Sequence, residues 1–414
     1  MKKIGFALLV GCVLSFGAAG YAADVAFKPY GFLLTNANFN SDTKADVPVK
    51  VGLTDDFSNF LITPRQTRFG LRLSYEQDWK VTGTIEMDFF GLKGSGANGG
   101  VMQSAPRLRL ANIRLQKNDL AFVVGQDWSV FAPLNPASMM HVGIPKFSSS
   151  GNLWNRFPQL RAEYKFKIDD KNSLLLQGAL MRPLGADVTP AVNQTDELGA
   201  GELAGMPFLE MRAAMDFGPA AAFGASLHYG QEDFHKAWGG FRTIGGTAYA
   251  LKDERTGTFA VAADAKVKTG PATFSAEAYW GQNLTMLFGN GYLKSVAGTD
   301  GTYKVDGIGS MGGWVEISLK PKNSKLSYGA GVGFEALNED DVDALTTDAL
   351  FKSAVPMHKN MTIFGLISYS PFSNLTCGLE LNHIITSYKK SDGTALIGED
   401  AGNTTIGLAF RFDF

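Results

Sequence analysis

Apolar residues fall on every second position through most of the chain. Phe69, Leu71, Leu73 and Tyr75 alternate with Arg68, Gly70, Arg72 and Ser74. Val81, Gly83, Ile85 and Met87 alternate with Thr82, Thr84, Glu86 and Asp88, and Leu160, Ala162, Tyr164 and Phe166 alternate with Arg161, Glu163, Lys165 and Lys167. The same period recurs at 208–217, 221–230, 258–267, 272–280, 313–320 and 325–335. One apolar and one polar face, strand after strand, is the signature of an antiparallel sheet. Two stretches depart from it. At 107–116 the apolar phase moves from Leu108 and Leu110 to Ile113 and Leu115, which predicts a bulge near Ala111; at 173–182 both faces are mostly apolar.

The connections choose the sheet type. Short ones, rich in turn-forming residues, occur at Gln77-Asp78, Lys117 to Asp119, Asp169 to Asn172, Gly218-Pro219, Thr269 to Pro271, Pro321 to Ser324 and Pro371 to Asn374. They alternate with long ones at about 40–60, 91–106, 129–158, 183–207, 231–256, 281–312, 336–359 and 389–402. Short turns on one rim and long loops on the other characterise outer-membrane barrels. Seven turns and eight loops are fifteen connections, so the expected fold is all-β, a 16-stranded antiparallel transmembrane barrel.

The chain's two ends agree with this. Ile406, Leu408, Phe410, Phe412 and Phe414 alternate with small or charged residues up to the terminal Phe414. In water such an edge strand invites aggregation, whereas in lipid it pairs with the first strand, around Tyr30 to Phe39. Phe410, Phe412 and Phe414 resemble the signal read by the outer-membrane assembly machinery. At the other end, Lys2 and Lys3 precede an apolar run from Ile4 to about Phe16 and small residues through Ala23. That is a secretory signal with cleavage expected after Ala22, giving a signal peptide at 1–22 and one barrel domain at 23–414. The lipobox-like Leu9-Val10-Gly11-Cys12 is disfavoured because Cys12 sits in the middle of the apolar run. Cleavage leaves Cys377 as the single cysteine and no internal disulfide.

Composition narrows the function. A net charge of −2 with no basic patch argues against nucleic acid as a partner. The five His residues lie far apart, His228 and His235 being the closest, so no metal site is expected. Glu339-Asp340-Asp341 and Asp343 read as a solvated acidic loop. Gly94 to Gly99 fits a dinucleotide-binding pattern but lacks the helix that would hold a pyrophosphate. No nucleophile elbow is present, no cofactor is implied, and an enzyme is not expected.

Two segments carry a resemblance. Gly125-Gln126-Asp127-Trp128-Ser129-Val130-Phe131, together with Arg156-Phe157-Pro158-Gln159-Leu160-Arg161-Ala162-Glu163-Tyr164, resembles the surroundings of the third loop in DcaP-like porins. Arg68-Phe69-Gly70-Leu71-Arg72 resembles the second strand of general trimeric porins. DcaP-like proteins usually carry an N-terminal coiled-coil extension, and here only about five residues separate the expected cleavage point from the first strand. The resemblance implies a homotrimeric pore in the outer membrane of a Gram-negative bacterium. It would be surrounded by lipid and lipopolysaccharide, with an inward-folded third loop that sets the constriction, and it would pass small anions such as dicarboxylates.

Charge on the lumen side points the same way. Alternation turns Arg68, Arg72, Arg107, Arg109, Arg161 and Arg212 inward, where Glu86, Asp88, Glu163 and Glu210 neutralise some of them. From Ser129 to Gln159 there is no Asp or Glu, while Lys146, Arg156 and His141 are present and Asp127 stands at the loop's start. A narrow ring of cations without matching carboxylates favours anions. Phe131, Phe147, Trp154 and Phe157 either line that eyelet or pack the loop against the wall, and packing is the expected use. The alternatives are a non-selective general porin and a surface receptor or adhesin barrel.

Overall fold

The computed structural model describes residues 25–91, 104–185, 198–391 and 396–414. The expected signal peptide and the Gly94–Gly99 segment lie outside the described residues. The barrel strands are β1 (Ala26–Asn40), β2 in two segments (Asn59–Thr63 and Arg68–Glu76), β3 (Lys80–Gly91) and β4 (Ala105–Lys117). Next come β5 (Leu120–Trp128), β6 (Arg156–Lys167), β7 (Asn172–Met181), β8 (Phe208–Phe217), β9 (Ala221–Glu232) and β10 (Thr256–Thr269). The last six are β11 (Ala272–Gln282), β12 (Gly309–Leu319), β13 (Leu326–Leu337), β14 (Met357–Phe372), β15 (Leu375–Ser391) and β16 (Leu396–Asp413). Both segments of β2 pair with β1, one with each half, so the 17-stranded sheet is a barrel of sixteen strands.

Every neighbouring pair is antiparallel, and β16 closes on β1 from Phe32↔Asp413 to Asn40↔Thr405. Reciprocal backbone hydrogen bonds between Gly31 and Phe414, at 3.2 and 3.1 Å, complete the seam. No sheet edge is left for lipid to meet, as a membrane-spanning sheet requires. Phe69, Ile85, Leu160, Phe410 and Phe412 stand exposed on the outer face, so the period of two is imposed by lipid. Cys377 is a free thiol, opposite Phe410 and Tyr369 in register.

Three expectations are corrected. The bulge in β4 lies at Arg109 rather than Ala111: Glu86 pairs with Leu110 and Met87 with Leu108, so Arg109 is the inserted residue. Leu110 therefore stands opposite inward Glu86 instead of facing lipid, and Arg109 bonds Glu86 and Asp88. The eighth connection is mostly strand, since β15 and β16 remain paired up to Ser391↔Leu396. Beyond the membrane a hairpin needs no apolar face, so its polar sequence reads as loop. The acidic run of the seventh loop opens a short helix, α3 (Glu339–Ala344), capped by Asn338. Its acidic first turn suits the positive end of the helix dipole.

The long loops carry further structure. Helices α1 (Ala200–Leu203) and α2 (Phe234–Ala237) lie in loops four and five; hairpins Phe241–Ile244/Thr247–Ala250 and Leu293–Ala297/Tyr303–Gly307 lie in loops five and six. Inside the barrel, Val130, Phe131, Leu153 and Phe157 pack with Ala179, Met181 and Phe208 of the wall and Leu284, Met286 and Leu287 of loop six. This internal core explains why both faces of β7 are apolar. One faces lipid and the other faces the third loop.

Candidate functional site

The third loop, residues 129–155, crosses the lumen and is held by wall carboxylates. Glu210 on β8 accepts from Ser129 Oγ at 2.7 Å, from Val130 N at 2.9 Å and from Phe131 N at 3.1 Å. Glu277 on β11 accepts from Leu134 N at 2.6 Å, and Glu316 on β12 from Ala137 N at 2.7 Å. Glu380 on β15 accepts from Ser138 Oγ and Met139 N, both at 2.9 Å. Gln66, between the two segments of β2, then accepts from Val142 N at 2.8 Å and Gly143 N at 2.7 Å. Loop N–H groups inside a barrel have no ladder to join, so each needs an acceptor from the wall. A hydrogen bond to a charged group contributes about 1.5–3 kcal/mol. The absence of carboxylates from the loop is thus the complement of their presence beneath it.

Glycines make room for the same loop. Gly378 and Gly407 face Met139 and Met140 closely, and a Cβ at Gly333 would come within 2.7 Å of the Phe147 ring. Phe147 adopts a left-handed backbone, φ 63°, which a bulky residue keeps only when its surroundings hold it. Its ring stacks on Trp314 at 6.1 Å and meets Phe364 edge-on at 5.5 Å.

The expected site residues divide into groups. Arg107 forms a two-point pair with Asp88 (3.0 and 2.7 Å) and donates to Gly143 O at 2.8 Å. Arg109, expected to line the pore, is instead 1% exposed and bridges Glu86 and Asp88 behind the lining. Arg161 pairs with Asp127 and Glu163, both at 2.8 Å, and Arg212 with Asp264 at 2.7 Å. Arg68 donates to Val142 O at 3.0 Å and approaches Glu86 only to 3.6 Å. Neither Arg72 nor Arg156 has an ion pair among the described residues. Arg72 is exposed and lies over the Tyr30 ring, and Arg156 lies over the rings of Trp128 and Trp154.

Lys146 is the clear departure. It was expected at the constriction, yet it has no exposed surface and pairs at 2.7 Å with Glu380. A side chain without surface cannot line a channel. Burial pushes its ammonium below the ordinary value, with Glu380 opposing. His141 lies buried nearby, and burial together with Lys146 holds its imidazole well below 6.5. Phe131, Phe147, Trp154 and Phe157 are all buried, so they pack the loop rather than line the passage.

Residues that sequence reasoning missed are the anchoring set: Gln66, Glu277, Glu316 and Glu380. One further group, Asp233, His235 and Asp253 in and beside loop five, brings a ligand atom from each within 4.8 Å of one another. Asp233 already holds the Lys236 ammonium at 2.8 Å.

No family model matches the chain, and no curated protein matches it. Solved structures do. The outer membrane channel DcaP of Acinetobacter baumannii superposes with a TM-score of 0.69 at 18% identity, covering 95% of this chain and 98% of that one. OmpT, an outer membrane protein of Vibrio cholerae seen in a trimer form, gives 0.56 at 12% identity over 94% and 99%. OmpF of Salmonella typhi, in complex with daunomycin, gives 0.54 at 11% identity over 95% and 99%. At these identities the likeness shows the fold, which is that of the sixteen-stranded porins of Gram-negative outer membranes.

Proposed function

We propose that the protein is a passive outer-membrane diffusion channel, assembled as a homotrimer, that favours small anions. The observation that carries this reading is an imbalance of fixed charge around the third loop. The stretches 68–72, 84–88, 107–114, 123–128 and 156–163 hold Arg68, Arg72, Arg107, Arg109, Arg114, Arg156 and Arg161 against Glu86, Asp88, Asp127 and Glu163. That is seven guanidinium groups against four carboxylates on one side of the lumen. On the far side Glu210, Glu277, Glu316 and Glu380 lie buried under the loop they hold. The acidic side of the lumen is therefore covered, whereas Arg72 and Arg107 on the basic side keep surface open to the passage.

A small anion passing Arg72 and Arg107 would meet net positive charge. One close pair contributes roughly 1–4 kcal/mol between the bulk-water and surface-like dielectric limits. The deciding experiment is the reversal potential in a KCl gradient across planar bilayers, for the natural protein and for Arg72→Glu. Charge reversal should move selectivity towards cations, and more strongly at low ionic strength, where screening is weak.

A further inference from the structure

Loop one also folds into the barrel, and it carries a cation that the passage does see. Val51 N donates to Thr386 Oγ1 at 2.9 Å, Asn360 Nδ2 donates to Val49 O at 2.8 Å, and Tyr388 OH donates to Val51 O at 2.6 Å. Asn360 and Thr386 are themselves buried on the inner faces of β14 and β15. These three bonds fix the backbone on both sides of Lys50 against the inner wall. Val51 is 1% exposed, whereas the Lys50 side chain is exposed. Asn360 Nδ2 also lies 2.7 Å from Ser149 O and 2.8 Å from Ser150 Oγ, so one wall residue holds both loop one and loop three.

The Lys50 side chain has protein around it and yet keeps surface open to water. That surrounding protein pushes its ammonium below the ordinary value of 10.5. The carboxylate acting in the opposite direction is Glu335, which is buried on the inner face of β13. Glu335 is already held by Asn290, whose backbone N and Nδ2 both donate to it at 2.8 Å. No ion pair joins it to Lys50 among the described residues.

We propose that Lys50 is an outer selectivity element, placed on the long-loop side of loop three to draw anions towards the arginine wall. Buried Lys146 cannot play that part. The proposal rests on the anion-channel reading above and adds a residue and a side to it. An anion entering from the long-loop rim meets Lys50 before Arg107 or Arg72. One from the turn side meets it last, so Lys50 should make conduction depend on polarity.

The test compares Lys50→Glu, Lys50→Gln and Lys50→Arg with the natural channel, each first checked for heat-modifiable migration as a folded barrel. In a KCl gradient, Lys50→Glu changes the local charge by two units and should lower the chloride-to-potassium permeability ratio several-fold, one unit charge at about 4 Å in bulk water being worth about fivefold for each ion. Lys50→Gln should fall between, Lys50→Arg should retain the natural ratio, and the change should be larger at one polarity. If Arg72→Glu moves the reversal potential while Lys50→Glu leaves it unchanged, the role of Lys50 is overturned and the anion reading survives. If the natural channel already prefers potassium, both are overturned.

Discussion

Glu380 on the barrel wall accepts a hydrogen bond from Met139 N at 2.9 Å and holds Lys146 Nζ at 2.7 Å, so one buried carboxylate fixes two distant points of the third loop. Breaking a buried pair by removing one partner costs about 3–5 kcal/mol, because the other charge stays buried without its counterion. Glu380→Ala should therefore undock the loop and expose Lys146 to trypsin in the folded barrel. Glu380→Gln, which keeps an acceptor, should do so less. If trypsin leaves Glu380→Ala as intact as the natural protein, the loop does not depend on this anchor.

The wall glycines should be equally specific. Gly333→Val adds atoms where the Phe147 ring sits, and overpacking of this kind costs about 1–3 kcal/mol. We expect altered single-channel conductance with an intact barrel. Gly365→Val is the control, since a Cβ there meets nothing within 4 Å. Equal conductance in both variants would mean that Phe147 is not seated as described.

Acid should loosen the same loop. His141 is held well below its ordinary value of 6.5 by burial and by Lys146, so the docked loop carries a neutral imidazole. Its folded value is depressed, so docking is fully stabilised above pH 6.5 and loses stability progressively as pH falls below it. Closing events in bilayer recordings should be more frequent at pH 5 than at pH 7.5, and His141→Gln should reduce that difference. A His141→Gln channel with the full natural pH dependence would exclude this group as the sensor.

The terminal strand offers a test of assembly. Phe414 is half exposed on the outer face, and its ring reaches over Gly31 of β1 to lie 5.6 Å from Phe69 on β2. Phe414→Asp puts a charge where lipid is expected and removes the terminal aromatic, so the yield of folded barrel in the outer membrane should drop several-fold. Normal yield would remove the assembly-signal reading of Phe410, Phe412 and Phe414.

These residues also show what a sequence reveals and what it conceals. The strands were legible because lipid demands an apolar side chain at every second position, and Phe69, Leu160 and Phe410 obey it. The loop's path was not, because its anchors lie far away in sequence: Glu210 is 81 residues from Ser129, and Glu380 is 241 from Met139. A loop without carboxylates reads equally well as a bare ring of cations or as one whose N–H groups are served from outside, and only the fold separates the two. That ambiguity put Lys146 in the pore on paper when it is buried in fact. One signal was available. Gly329, Gly331 and Gly333 occupy successive inward positions of β13, a run of missing side chains that something else must fill.

The central claim is that the covered glutamates leave the passage net positive. Reversal potential of the natural channel in a KCl gradient, at low ionic strength where fixed charge is least screened, tests it most directly. The account predicts a potential on the chloride side of zero. A potential on the potassium side would contradict it.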